Sequence, residues 1–159
     1  MSLEKVQLIT SWLNQSINNF SFNFCTKGEK IDSVSVQNSI ARMLDDYGKS
    51  ECIYLLCIKN ELDYVPIYIG KSKTPENRWR SHIKNLFDGK ASYARWKSFL
   101  LENDVAKHNC LLIVVPDIAI SEPPISGFPK TIGSIEYQLV SLASDAYPDT
   151  LLNHEGNRR

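Results

Sequence analysis

Two apolar runs set close together constrain this chain more than any other feature. Cys52-Ile53-Tyr54-Leu55-Leu56-Cys57-Ile58 carries no charge, and Val65-Pro66-Ile67-Tyr68-Ile69 follows after a polar, turn-like stretch from Lys59 to Tyr64. The first reads as a buried strand and the second as its partner, ended by Gly70. Two strands joined by a short polar connection are most simply an antiparallel hairpin. Cys110 to Val115, rich in β-branched residues, reads as a third strand.

Helical signals surround these strands. Val6, Ile9, Leu13 and Ile17 recur at helical spacing with Trp12 beside them. Phe20, Phe22 and Phe24 alternate, which predicts a short strand or an extended arm. Val36, Ile40, Met43, Leu44 and Tyr47 mark a second helix, with Gly48 as its stop. Thr74-Pro75 opens a third: Thr is a capping type, and Pro is tolerated where the first N–H would be unpaired anyway. Trp79, Ile83 and Leu86 form its apolar stripe, and Gly89 ends it. A further helix runs around Tyr93 to Leu101, with Trp96 and Leu100 inward. Asp117 to Thr131 is a Pro-rich loop, of the length that is often functional or mobile. Ser134 is read as the cap of a last helix, with Ile135, Leu139 and Leu142 facing the core. Leu151-Leu152-Asn153 and a polar tail close the chain.

The length of 159 residues suits one domain, and 43% hydrophobic content supplies one core without disulfides or a structural metal. Cys25, Cys52, Cys57 and Cys110 form no CxxC pair and lack zinc spacing, so they read as buried thiols. Cys52 and Cys57 fall on opposite faces of their strand. No apolar run is long enough to span a bilayer, which leaves no membrane partner, and the N-terminus lacks the pattern of a signal peptide. These features predict a cytoplasmic protein.

The formal net charge is zero, but its distribution is uneven. Tyr68 to Lys107 holds nine Lys or Arg against four Asp or Glu, whereas the flanking segments are both net acidic. A polyanion can dock on such a basic middle third. Basic helices are also often only solvated faces.

Arg78 and His82 lie four apart, and the spacing predicts that they share a helix face opposite Trp79, Ile83 and Leu86. Two tyrosine-bearing strands sit beside them in sequence, and Glu136 on the last helix offers a carboxylate. Phosphodiester hydrolysis can use these parts. A Tyr or His relays the proton of the attacking water, Arg clamps the phosphate, and a carboxylate holds a divalent ion that favours departure of the 3′ oxygen. Each residue alone has a plainer account. Strand tyrosines are usually core formers, Arg78 and His82 can be surface residues, and Glu136 in the first turn of a helix would suit the helix dipole without any metal.

The order and spacing of these residues resemble the GIY-YIG nucleases. The hallmark of that family is a Gly-Ile-Tyr strand, a Tyr-Ile-Gly strand about ten residues on, and an Arg on the next helix. Here Cys52-Ile53-Tyr54 and Tyr68-Ile69-Gly70 stand in those places, with Arg78 ten residues after Tyr68. His82 falls where the family has His or Tyr. Arg78-Trp79-Arg80-Ser81-His82-Ile83-Lys84 is similar to the same helix of phage homing endonucleases, and Tyr68-Ile69-Gly70-Lys71-Ser72-Lys73 to the matching segment of the bacterial excision-repair nuclease. Glu136 matches the family's metal-binding glutamate and Asn153 its late asparagine. Cys52 departs from the motif's first Gly, and a second histidine of the homing enzymes falls near Ala91 here. The Pro-rich loop resembles an insertion that could read DNA.

The resemblance covers roughly residues 51–154 and implies an α/β (α+β) fold: a small antiparallel three-stranded sheet flanked by helices. Residues 1–50 then form an N-terminal helical extension packed on the core, and residues 51–159 the nuclease domain. It implies a metal-dependent DNA endonuclease. Tyr54, assisted by His82 or Lys71, takes the proton of the attacking water. Arg78 binds the scissile phosphate, and Tyr68 positions the nucleophile or phosphate. Glu136 holds a single Mg²⁺ or Mn²⁺. Asn153 supports the site, and Gly70 lets the backbone turn tightly toward the helix. A type II restriction-like or phage-type enzyme fits best, with DNA as partner and a homodimer if the target is palindromic. A structure-selective repair or recombination nuclease, and an inactive module that only binds nucleic acid, are the alternatives.

Overall fold

A computed structural model describes residues 3–153; the polar tail predicted beyond Asn153 lies outside the described residues. In chain order the elements are helix α1 (Leu3–Ser16), strand β1 (Ser21–Cys25), helix α2 (Ser33–Met43), a 3-10 turn (Asp45–Tyr47), strands β2 (Cys52–Lys59) and β3 (Tyr64–Ser72), and helices α3 (Pro75–Asp88) and α4 (Tyr93–Leu100). The two-residue strands β4 (Leu101–Glu102) and β5 (Val105–Ala106) follow, then β6 (Cys110–Pro116) and α5 (Ile132–Ala146). None of these helices is long and apolar enough to cross a membrane.

The antiparallel sheet flanked by helices is present, but it has four strands rather than three, in the order β1-β6-β2-β3. The extra strand comes from the alternating Phe20–Phe24 segment, which pairs with β6 as an edge. The first fifty residues therefore supply a strand as well as helices.

Period-2 alternation splits the central strands between two apolar layers. Cys52, Tyr54 and Leu56 face one layer with Val36, Ile40, Trp79, Ile83, Leu86 and Trp96. Ile53, Leu55 and Cys57 face the other with Ile9, Trp12, Leu13, Ile135, Leu139 and Leu142. The sheet is thus sandwiched between α2, α3 and α4 on one side and α1 and α5 on the other. Burying each large side chain contributes roughly 1.5–3 kcal/mol, which is why the central strands need no disulfide. All four cysteines are free and buried, Cys52 and Cys57 in opposite layers as expected.

Several local expectations shift. Thr74 occupies the cap position of α3 with Pro75 behind it, but its side chain makes no capping hydrogen bond. Helix α5 is capped by Thr131, whose hydroxyl accepts from the Ser134 amide, rather than by Ser134. Gly70 does not end β3, which continues to Ser72. The Pro-rich loop is pinned: Trp12 Nε1 donates to the Glu122 carbonyl at 2.9 Å, and buried Gln138 bonds both Ile125 N and Pro129 O. Asn103 and Asp104, both at positive φ, make a two-residue β4–β5 turn of the kind that suits hairpin twist.

Candidate active site

The site is built where β2 and β3 meet α3. Tyr54 stands directly across the ladder from Gly70, and Leu56 across from Tyr68, so both tyrosines lie on the α3 face. Their rings stack with centroids 6.2 Å apart. Tyr54 is only 2% exposed. Gly70 is required for a reason other than a turn. A Cβ built there would meet Tyr54 Oη at 2.5 Å and Cζ at 2.6 Å, so the absent side chain is what lets the phenol cross the neighbouring strand.

His82 projects from α3 toward Tyr54. Its Nε2 is 3.1 Å from Tyr54 Oη, and its Nδ1 is 2.7 Å from Tyr93 Oη on α4. Trp96 stacks on the imidazole at 5.2 Å and an interplanar angle of 23°. His82 is therefore buried, with the Trp79 ring 4.9 Å away, and does not join Arg78 on a solvated face opposite the apolar stripe. The polar-face reading failed because α4 closes over that side of α3. Arg78 stays exposed one turn earlier, and no hydrogen bond or ion pair among the described residues holds its guanidinium.

Electrostatics ties the set together. Burial raises the Tyr54 phenol far above its ordinary range; Tyr68 and Glu136 push the same way, and Arg78 opposes them. Burial likewise raises Tyr68, with Arg78 again lowering it. Burial, then Arg78, push the His82 imidazole down to about 4, so it is neutral near pH 7 with one free lone pair. Glu136 approaches from α5 in the opposite layer. Desolvation raises its carboxyl, Lys71 lowers it and Glu51 raises it. The earlier start of α5 puts Glu136 in the second helical turn rather than the first, which removes the helix-dipole account of its presence. Lys71 is exposed beside the start of α5, its Nζ 3.8 Å from where a Gly133 Cβ would lie.

The last described residues cover the free edge of β3. Leu152 N donates to Ile67 O at 2.6 Å. Asn153 accepts from Ile69 N at 2.6 Å and donates to Ile69 O at 2.7 Å. Asn153 thus imitates a strand residue and fixes the backbone between Tyr68 and Gly70. Cys52, at the divergent motif position, is a buried thiol pushed up to about 12 mainly by burial, and takes no part in this constellation.

Glu136 can hold a divalent cation. Its donor is a hard carboxylate oxygen, which suits Mg²⁺ or Mn²⁺. Among the described residues no group of three or more His, Cys, Asp and Glu is placed to share one. A single carboxylate fits a single ion that keeps water and phosphate oxygens as its other ligands, the usual habit of Mg²⁺ at phosphate sites.

The α+β sandwich brings Tyr54, Tyr68 and His82 together, with Arg78 and Glu136 within electrostatic reach of the tyrosines. Residues 50–110 match the GIY-YIG catalytic domain, so this segment is similar to the catalytic domain of the GIY-YIG nucleases. No curated protein and no solved structure matches it significantly. The matched segment holds Tyr54, Tyr68, Gly70, Lys71, Arg78 and His82; Glu136 and Asn153 lie beyond it. Sequence reasoning missed Tyr93 and Trp96 as partners of His82. The signal available was their spacing of three on the helix after Gly89, which puts both on one face.

Proposed function

We propose that this protein is a metal-dependent DNA endonuclease of type II restriction-like or phage type, with Tyr54, Tyr68, Arg78, His82 and Glu136 at one active site. The observation that carries the reading is the buried Tyr54–His82 hydrogen bond within the electrostatic reach of Arg78. A phenol raised so far by burial is not a phenolate at neutral pH, so it cannot serve as a stored base. It can take the water's proton only while passing its own to a neighbour. His82 Nε2 is that neighbour, and the neutral ring has a lone pair to receive it.

The exposed Arg78 guanidinium binds the scissile phosphate through paired N–H bonds and offsets the charge that builds on phosphorus. Tyr68 stacks on Tyr54 and orients the phosphate or the water, while Lys71 adds positive charge at the same end of β3. Gly70 and Asn153 hold Tyr54 and β3 in place. Glu136 would hold the Mg²⁺ or Mn²⁺, which when bound stabilises charge on the departing 3′ oxygen. The basic segment from Tyr68 to Lys107 supplies the phosphate-binding face, and a two-fold dimer would match a palindromic target.

The test is cleavage of supercoiled plasmid with Mg²⁺ by the wild type, Arg78→Ala and Glu136→Ala. Cleavage by the wild type and severe loss in both variants support the assignment. Unchanged cleavage in both would remove it.

A further inference from the structure

We propose that Tyr93 is a positioning residue that completes a proton wire, Tyr54–His82–Tyr93, carrying the nucleophile's proton from the buried end of the site out to solvent. The proposal rests on the nuclease reading above and deepens it. Three geometric facts carry it. Both imidazole nitrogens meet a phenol, at 3.1 Å on Nε2 and 2.7 Å on Nδ1. Burial falls along the line: Tyr54 and His82 are 2% and 4% exposed, while Tyr93 is partly open. Stacking on Trp96 fixes the ring plane, and Tyr93 packs on the same indole at 5.1 Å.

The wire requires one tautomer. Tyr54 O–H donates to His82 Nε2, His82 Nδ1–H donates to the Tyr93 oxygen, and the Tyr93 hydrogen faces water. As the attacking water bonds to phosphorus, its proton passes to the Tyr54 oxygen and the Tyr54 hydrogen to Nε2. The Nδ1 hydrogen passes to Tyr93, and the Tyr93 hydrogen to solvent. One proton leaves the nucleophile and one reaches bulk water, while the bond to the departing 3′ oxygen breaks. His82 is neutral before and after; the reverse hop, which draws one proton from solvent at Tyr93 and delivers one from Tyr54 to the departed 3′ oxygen, restores its tautomer.

Neutrality is what the surroundings of His82 demand. The titratable and charged groups facing it are Tyr54 from β2, Tyr68 from β3, Arg78 from its own helix and Tyr93 from α4. None is a carboxylate that would hold an imidazolium, and Arg78 opposes one. A relay that stopped at His82 would create that cation; one that continues to Tyr93 avoids it. A mere tie between α3 and α4 would be served by either tautomer.

The experiment is single-turnover cleavage of plasmid with Mg²⁺ by wild type and Tyr93→Phe, in mixtures of H₂O and D₂O, with DNA binding and thermal melting measured on the same samples. Loss of a positioned proton carrier predicts a rate about 100-fold lower, with DNA binding kept and the folded state retained at the assay temperature, the melting point falling only by the loss of one part-buried hydrogen bond. The isotope dependence should be strongly curved in the wild type, four protons moving together, and less curved in Tyr93→Phe, where only the two transfers through Tyr54 to Nε2 remain. A wild-type rate, or a slower rate with unaltered curvature, would overturn the wire. No cleavage by the wild type would instead remove the nuclease reading. Nitrogen NMR of His82 in the intact wild-type protein checks the same point without a variant. The Nδ1–H tautomer is expected, and a dominant Nε2–H tautomer would overturn the proposal.

Discussion

Gly70→Ala is the sharpest perturbation that the geometry allows. Gly70 is in ordinary strand conformation, outside the left-handed region, so alanine costs nothing in backbone strain there. The cost is in space. The new methyl would sit 2.5 Å from Tyr54 Oη, 2.6 Å from Cζ and 2.7 Å from Cε1. Carbon contacts are comfortable at about 3.5–4 Å, so the ring must retreat by roughly 1 Å. It is hemmed in by Trp79 at 5.2 Å edge-on and Tyr68 at 6.2 Å stacked. A displacement of that size disrupts the geometry in which Oη meets the His82 nitrogen at 3.1 Å. Misplacing a reacting group by about 1 Å costs on the order of 100-fold in rate, and overpacking a filled core costs about 1–3 kcal/mol. Gly70→Ala should therefore cleave plasmid about 100-fold more slowly in single turnover, melt at lower temperature, and bind DNA with unchanged affinity, because no phosphate contact is touched. In a Tyr54→Phe background the same change should add little further rate loss. A variant that cleaves at the wild-type rate would refute the account of Gly70, and with it the need for Tyr54 to lie where it does.

Asn153→Ala should lower the urea midpoint, because the buried N–H and C=O of Ile69 each lose a partner worth roughly 1–3 kcal/mol; an unaltered midpoint would contradict the clamp. Acid should destabilise the fold through His82. Its folded-state value near 4 lies below the unfolded 6.5, so the unfolded chain binds the extra proton first, and stability falls as pH drops from about 6.5 toward 4. The loss amounts to about 3 kcal/mol across that window, and His82→Gln should flatten it in melts taken from pH 7 to 4. Glu136→Gln should abolish Mg²⁺-supported cleavage at any tested concentration while leaving DNA retardation in a gel intact; full activity would place the metal elsewhere.

What could be read from the sequence was what local patterning dictates. The β2–β3 hairpin and α3 follow from apolar runs, turn residues and the Gly89 stop, which takes the left-handed conformation expected of it. Tyr54, Tyr68 and Arg78 were legible because their spacing is fixed along one continuous unit. The pairing of β1 with β6 was not, since Ser21 meets Ile113 across most of the chain and no local signal encodes that register. Thr131 and Ser134 are both capping types, so sequence alone does not choose between them; burial of Ile132 accompanies the start of α5 at Thr131. His82 looked like a surface residue because a helix face is judged polar or apolar by its own residues, whereas Trp96 and Tyr93 arrive from the next helix. Glu136 gained weight for the same reason: its distance from the helix start was visible only once the cap was located.

The central claim is that the buried Tyr54–His82 pair and the exposed Arg78 act together on a DNA phosphate. Single-turnover cleavage of one supercoiled plasmid with Mg²⁺, by the wild type, Tyr54→Phe and Arg78→Ala, tests it most directly. The account predicts conversion of plasmid by the wild type, a fall of at least about 100-fold in Tyr54→Phe and in Arg78→Ala, and no further fall of that size when both are combined, as for groups serving one transition state. Intact plasmid with the wild type, or full cleavage by either single variant, would contradict it.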